Sequence, residues 1–313
     1  MTETAKLSVA ICTLNRASLL DGALRSLSEA DPPKRLLWEV IVVLNGCSDD
    51  SEAVAASYAA KLPMVICEEP RRGLSLARNR AIDAATGDVI LWLDDDVRVG
   101  EHLLRRYEEA ITGYPDAAVF GGAIVPMFDG GAPAWLSGSL PHLETAFAAK
   151  RPPPEGGAID LASENLPFGA NFAIRADAQR VHRYDPSLGK QPGMRMLNGE
   201  ETEVIQAILR NGGAGRWVPE ASVHHVIPVA RQTPRYVYRY FLGNGWVEGR
   251  KLRQSEPPAG ARAAGAELAA ALASQMTFRW ARLRRPATEW APLLRRSAGL
   301  WGRWLGRYGP GGR

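Results

Sequence analysis

The chain has 313 residues, 46% of them hydrophobic and 23% charged, which is apolar material enough for one large α/β domain or a domain with an appendage. No apolar run approaches the roughly 18 residues of a membrane-spanning helix, and the residues before Leu7 lack the basic-then-apolar pattern of an export signal. Cys12, Cys47 and Cys67 have no Cys-x-x-Cys spacing, which argues against a zinc site or a disulfide framework and suits a reducing cytoplasm.

Residues 7 to 13 form a β-branched run that predicts a strand buried on both faces. Leu20, Leu24 and Leu27 follow at helical spacing, with Ser18 and Asp21 reading as a capping box. Residues 38 to 44 predict a second strand, and Asp49 with Glu52 can cap a helix carrying Val54 and Tyr58. A third strand at 64 to 67 leads into a helix from about Ser75 to Ala85, stopped by Gly87. The fourth, Val89 to Leu93, runs straight into Asp94, Asp95 and Asp96. Such alternation implies parallel pairing with right-handed crossovers, and ligands beyond the carboxyl ends of the strands. Thr13, Asn45 and Asp94 to Asp96 all fall at those ends.

After Asp116 the pattern loosens. A strand is expected at 118 to 125, a long loop at 126 to 167, an extended piece at 168 to 174, a helix at 200 to 209 and an extended run at 217 to 227. Gly243, Gly245 and Gly249 lack the preceding strand and spacing of a dinucleotide fingerprint. Pro257-Pro258 marks a boundary before an Ala-, Arg- and Trp-rich tail. From residue 250 onward thirteen Arg and Lys face three Asp and Glu, a local +10 that leaves −6 on the rest of a +4 chain. A basic tail on a mildly acidic body points to an anionic partner surface.

Three consecutive carboxylates closing an apolar strand are costly unless a cation offsets their repulsion. Mg2+ and Mn2+ are the hard ions that take carboxylate and phosphate oxygens together. The bland alternative is a solvated acidic turn. Taken in order, Ala10 to Arg16, Val42 to Asp49, Arg72 to Asn79, Leu93 to Asp96 and Gly199 to Glu201 make the chain resemble the family-2 glycosyltransferases over residues 7 to about 230. The resemblance implies a GT-A (Rossmann-like) α/β fold, a mostly parallel central sheet flanked by helices, here with a basic helical C-terminal appendage. It also implies a nucleotide-sugar donor, a divalent metal and inversion at the anomeric carbon. Residues 1–115 would be the nucleotide-sugar-binding half, 116–255 the acceptor-binding and catalytic half, and 256–313 the tail.

Carried over by position, Thr13, Asn15, Arg16, Asn45, Arg78, Asp94 and Asp95 would contact the nucleotide. Asn45 stands where relatives have a base-reading Asp, and Leu14 where an aromatic residue often stacks, so a uridine donor is favoured by resemblance alone. Asp96 and Asp94 would hold Mg2+ or Mn2+, with His225 or His224 as a further contact; adjacent strand residues point oppositely, so at most one histidine reaches the site. Glu201, with Glu200 next in line, would be the base that takes the acceptor proton; the alternative is that both simply favour a helix N-terminus. Gly169, Ala170 and Asn171 match the loop beneath the donor sugar and the approaching acceptor.

The implied partners are a nucleotide-sugar donor and a glycan or lipid-linked acceptor, in the synthesis of a cell-surface polysaccharide or glycolipid. Trp280, Trp290, Trp301 and Trp304, interleaved with arginines, suit peripheral contact with an anionic membrane on the cytoplasmic side, or else pack within a helical appendage. Two rivals remain. A metal-dependent nucleotidyltransferase would ordinarily carry a basic glycine-rich loop, and residues 7 to 16 contain no glycine. A non-enzymatic basic module would bind nucleic acid, but no groove-reading motif is recognisable and none is expected to bind.

Overall fold

The computed structural model describes residues 5–161, 165–187, 199–255 and 260–309. The strands are β1 (Lys6–Thr13), β2 (Leu37–Leu44), β3 (Met64–Glu68), β4 (Val89–Asp94), β5 (Val97–Val99), β6 (Ala117–Phe128), β7 (Gly157–Ala158), β8 (Asn171–Arg175) and β9 (Ala214–Ile227). Among the described residues they make one sheet in the order β3-β2-β1-β4-β8-β6-β9-β5, with β7 also on β9. The first four strands are parallel, as their alternation with helices requires. The sheet then becomes mixed: β8 runs antiparallel to β4 and β6, and β5 and β7 antiparallel to β9. Sequence periodicity gave no warning, because the first four residues of β8 are all buried and carry no alternation.

Alternate residues of the parallel strands feed two cores. Leu7, Val9, Ile11, Val40 and Val42 pack against Leu20, Leu24 and Leu27 of α1 (Ala17–Glu29). Ala10, Ile41 and Val43 face the other way, toward Ala77, Ala81 and Ile82 of α3 (Leu74–Ala84). Each fully buried Val or Ile contributes about 1.5–3 kcal/mol. The expected capping box at Ser18 does not form: α1 begins at Ala17, whose N–H donates to Asp49 Oδ2 at 3.0 Å. Asp21 instead accepts from the Tyr58 hydroxyl at 2.8 Å, just after α2 (Ser51–Ser57). A carboxylate from another strand end does the capping, which local spacing cannot reveal. The helices that follow along the chain are α4 (Leu103–Gly113), then α5 (Ala134–Ser137), α6 (Leu140–Leu143), α7 (Ala176–Val181) and α8 (Glu200–Arg210). The stretch expected as a loop at 126–167 therefore contains two short helices and a 3-10 turn at Glu144–Phe147.

The chain divides into two compact units. Among the described residues the first holds 5–126, 148–161, 165–187 and 199–226, and the second holds 127–147, 227–255 and 260–309. No division falls at 115/116, and the helical unit begins well before residue 256. It is built on α9 (Pro234–Ser255), α10 (Ala261–Arg284) and α11 (Ala287–Tyr308). The reason is the glycine set of α9. A Cβ on Gly245 would lie 2.2 Å from the Gly299 carbonyl oxygen, and one on Gly249 2.1 Å from that of Arg303. Across the crossing, Gly302 and Gly306 meet the carbonyl oxygens of Leu242 and Trp246 at 2.1 Å in the same sense. Backbone touches backbone, so α9 belongs with α11.

Within this unit Trp290 is buried and stacks on Trp135 at 5.4 Å. Trp301 stacks on Trp304 at 5.8 Å, and the Trp304 indole donates to Ala264 O at 3.2 Å. Trp280 stays 46% exposed. Three of the four tail tryptophans thus pack inside the appendage. No described helix is long and apolar enough to cross a membrane.

Candidate active site

Register brings the site residues together. Thr13 sits opposite Leu44 and Cys12 opposite Asp94, so the ends of β1, β2 and β4 lie side by side. The antiparallel pairing of β5 with β9 sets Val97 opposite His225, beside the acidic turn. Thr13, Asn45, Asp95, Asp96 and His225 are all buried, with Asp94 about one-third exposed. The solvated-turn alternative for this triplet does not fit such burial.

Arg16 forks between two of the carboxylates. One nitrogen pairs with Asp95 Oδ1 and the other with Asp96 Oδ2 at 2.7 Å. Asp95 also accepts from the Thr13 hydroxyl at 2.7 Å. Burial pushes Asp95 up to about 7, helped by the neighbouring charge of Asp96 and opposed by Arg16 and Thr13. Asp96 goes the other way: burial alone would raise it, but the hydrogen bond and charge of His225, with Arg16, hold it far below the usual carboxylate range. Cys12 beside them is inert, its thiol pushed up by burial to about 12.

The fit of a divalent cation can be tested on this geometry. Asp96 Oδ1 and His225 Nε2 are 3.4 Å apart. Two ligands of one octahedral ion with bonds near 2.1 Å are separated by about 3 Å. A carboxylate and imidazole pair suits Mn2+, and Mg2+ prefers the carboxylate oxygens. Asp96 and His225 therefore fit such an ion as a pair, while among the described residues Asp94 does not join them in a three-ligand group. His224 is exposed on the opposite side of β9, as strand alternation requires. Another acid and histidine grouping, Asp31, Glu101 and His102, lies on the surface, where Asp31 is already held by His102 at 2.8 Å and Arg105 at 3.4 Å.

A second cluster forms around Arg78, which is 3% exposed rather than a surface helix arginine. It pairs with Glu200 at 3.0 Å and approaches Asp94 and Glu201 at 3.8 Å each. Its guanidinium lies 5.2 Å from the Tyr184 ring and 6.0 Å from the Trp92 ring. Arg78 thus bridges the end of β4 to the start of α8. Burial, reinforced by the charge of Glu200, pushes Glu201 up to about 7, while Arg78 opposes the shift. Glu201 Oε1 accepts from the Gly169 N–H at 3.3 Å. A Cβ on Gly169 would come within 2.7 Å of Arg78 Nη2, so the small residue expected here makes room for the arginine.

Three asparagines behave differently from a ligand-facing amide. Asn45 donates to the carbonyls of Glu69 and Arg71 at 3.0 and 2.7 Å and accepts from Gly73 N–H at 2.8 Å. Both of its donors are spent on holding the 69–73 loop. Asn171 donates to Ala123 O and Ala221 O at 2.9 and 2.8 Å and accepts from the Tyr107 hydroxyl at 2.9 Å. It cross-links β6, β8 and β9, and Ala170 beside it is 1% exposed. Asn15, exposed at a positive φ of 52°, accepts from Ser48 N–H at 2.7 Å and ties the two Asn-containing loops. Sequence reasoning missed Tyr184 and Trp92 around Arg78, for which spacing gives no signal. It also missed Lys150, whose ammonium lies 3.9 Å from the Phe168 ring and is pushed down to about 8 by burial.

A mixed sheet with an acidic turn at the end of a parallel strand, and a carboxylate pair opening a helix beside it, defines a glycosyltransferase of the GT-A type. The family model described as Glycosyl transferase family 2 matches residues 8–178. The chain belongs to that family. It is 29% identical over 257 residues to the succinoglycan biosynthesis protein ExoM of Rhizobium meliloti, covering 80% of this chain and 77% of that protein. It is 23% identical over 226 residues to the glucosyl-dolichyl phosphate glucuronosyltransferase of Haloferax volcanii, covering 70% and 69%. In fold it resembles the mannosyltransferase PcManGT of Pyrobaculum calidifontis in complex with GDP-Man and Mn2+, with a TM-score of 0.56, 17% identity and coverage of 96% and 88%. It also resembles S. aureus TarS in complex with UDP-GlcNAc, with a TM-score of 0.52, 17% identity and coverage of 78% and 66%.

Proposed function

We propose that this glycosyltransferase moves a sugar from a UDP-sugar to an acceptor hydroxyl with inversion, and that Glu201 is its base. The observation that carries the reading is the Arg78 bridge from Asp94 to Glu200 and Glu201, which joins the diphosphate end of the site to a carboxyl with a pKa near 7. A base with that affinity is half ionised near neutral pH and suits a hydroxyl that becomes acidic only as it attacks. Glu201 takes the acceptor proton while the acceptor oxygen bonds to the anomeric carbon and the bond to the diphosphate breaks. A single displacement of this kind inverts the anomeric centre.

Asp96 and His225 would hold Mg2+ or Mn2+, with Asp94 beside Arg78 on the nucleotide side, and the ion when bound supplies Lewis-acid stabilisation to the departing diphosphate. Arg16, 28% exposed at its side chain and forked onto Asp95 and Asp96, keeps those carboxylates oriented. Thr13 orients Asp95 from β1, and Asn45 acts through the 69–73 loop rather than on the base. Uridine is the favoured nucleotide by family resemblance; of the fold neighbours, TarS holds UDP-GlcNAc and PcManGT holds GDP-Man. The acceptor is read as a polysaccharide or glycolipid of the cell surface, in keeping with ExoM and the dolichyl phosphate enzyme. The chain is read as working at the cytoplasmic face of a membrane, from the basic, Trp-bearing tail.

The test is a screen of nucleotide sugars with Mn2+ and with Mg2+, following release of nucleoside diphosphate. One UDP-sugar should stand out. Asp96→Ala should weaken Mn2+ binding by calorimetry by more than the roughly 10- to 100-fold that loss of a partner behind a ligand costs. Unchanged Mn2+ affinity in that variant would remove the assignment.

A further inference from the structure

Helix α10 is apolar on two opposite faces. Ala271, Phe278 and Ala281 are buried in the helical unit. On the other side Leu272, Met276, Trp280 and Leu283 are 48, 72, 46 and 85% exposed. Steps of four, four and three residues keep them on one stripe, about 16 Å long at 1.5 Å per residue. The outward face of a surface helix is ordinarily polar, and a contiguous apolar ridge rimmed by charge marks a docking surface.

The rim has one sign. Residues 268 to 288 contain Arg279, Arg282, Arg284 and Arg285 and no Asp or Glu. The next acid, Glu289, is already paired with Arg285 at 2.9 Å. Arg284 and Arg285 lie 5.5 and 4.9 Å from the ring of Trp280, so the exposed indole is bracketed by two cations.

We infer that the Leu272, Met276, Trp280 and Leu283 face of α10 seats the chain on an anionic phospholipid surface. This deepens the membrane-side reading given above and rests on it. The aliphatic side chains enter the acyl boundary, the indole lies at headgroup depth, and the arginines meet lipid phosphates. The uncharged stretch 268–278 is too short to span the hydrocarbon, about 16 Å against about 30 Å, so the helix lies along the surface. A second copy is a poor occupant, because pairing two such faces sets Arg279 and Arg284 of one against Arg279 and Arg284 of the other, Arg285 being paired with Glu289 and Arg282 lying over buried Trp290. An acidic protein would satisfy the rim but leave the apolar ridge unused.

The test is co-sedimentation of the full chain with vesicles of 30:70 phosphatidylglycerol and phosphatidylcholine, and with phosphatidylcholine alone. Each arginine near an anionic surface adds roughly fivefold to binding, so the mixed vesicles should be favoured at least tenfold. L272S/M276S/L283S should lose about tenfold or more on the mixed vesicles while keeping its melting temperature, since all three side chains are exposed. R279E/R284E should erase the lipid preference. The inference is overturned if the triple variant sediments like the wild type, if the wild type binds neither vesicle, or if ultracentrifugation finds a dimer that the triple variant dissolves. Equal binding of wild type and triple variant to polyglutamate as tight as to the mixed vesicles would also overturn it, as charge alone would suffice. Diphosphate release is followed in parallel: its absence with sedimentation intact condemns the transferase reading, and the reverse condemns the docking face.

Discussion

Arg16 and Arg78 each face more than one carboxylate, yet the acids around them settle differently. Arg16 comes from the loop after β1, keeps 28% side-chain exposure, and shares Asp96 with His225, so that Asp96 is held strongly ionised. Arg78 comes from within α3, is sealed against Trp92 and Tyr184, and spends its closest contact on Glu200, leaving Glu201 with its proton held up to about pH 7. The lesson is about access. A carboxylate beside a partly solvated cation is ready to exchange it for another cation, whereas one beside a buried arginine already committed elsewhere is ready to exchange a proton.

The contrast breaks first at Glu201. Glu201→Gln keeps the shape and removes the proton acceptor, so kcat should fall by about 100- to 10,000-fold with donor affinity unchanged, measured by diphosphate release against calorimetry. Near-normal turnover would erase the distinction between the clusters. Next is Arg78→Met, which leaves Glu200 buried and unpaired. Breaking such a pair costs about 3–5 kcal/mol, visible as a large drop in denaturation midpoint, whereas Arg16→Met, which leaves Asp95 with Thr13 and Asp96 with His225, should cost less.

The smallest effect is also the sharpest. The proposed base works when ionised, so the rate should rise with pH through about 7 and level off above it. Glu200→Gln removes a negative neighbour, which should move that limb to lower pH by about one unit in a pH-rate profile. The stability linkage has the matching sign. A carboxyl whose folded pKa exceeds its ordinary value of 4.5 supports the fold fully below that value, and its contribution is lost as pH rises through about 7.

Much of this was legible in the chain itself. The strand ends at Thr13, Leu44 and Asp94 followed from hydrophobic runs, and strand alternation allowed only one of His224 and His225 to reach the site. What stayed illegible is whom a buried polar group faces. Asn45 and Asn171 read in sequence as ligand contacts, but a buried amide needs partners whether those are a nucleotide or a backbone carbonyl, and here they are carbonyls. Tyr184 and Lys150 reach their places through tertiary pairing, which leaves no periodic trace. The position of the helical unit's boundary was hidden for a related reason: glycines that look like helix breakers were the evidence for a helix pair.

That crossing has a consequence for how the chain acquires its shape. Glycine inside a helix costs about 1 kcal/mol against alanine, and α9 carries Gly243, Gly245 and Gly249. Left to itself α9 is a poor helix, and what compensates is the backbone of α11, made much later in synthesis. The segment between strand β9 and Ser255 therefore has to wait for α11 to emerge from the ribosome before it can hold its own conformation.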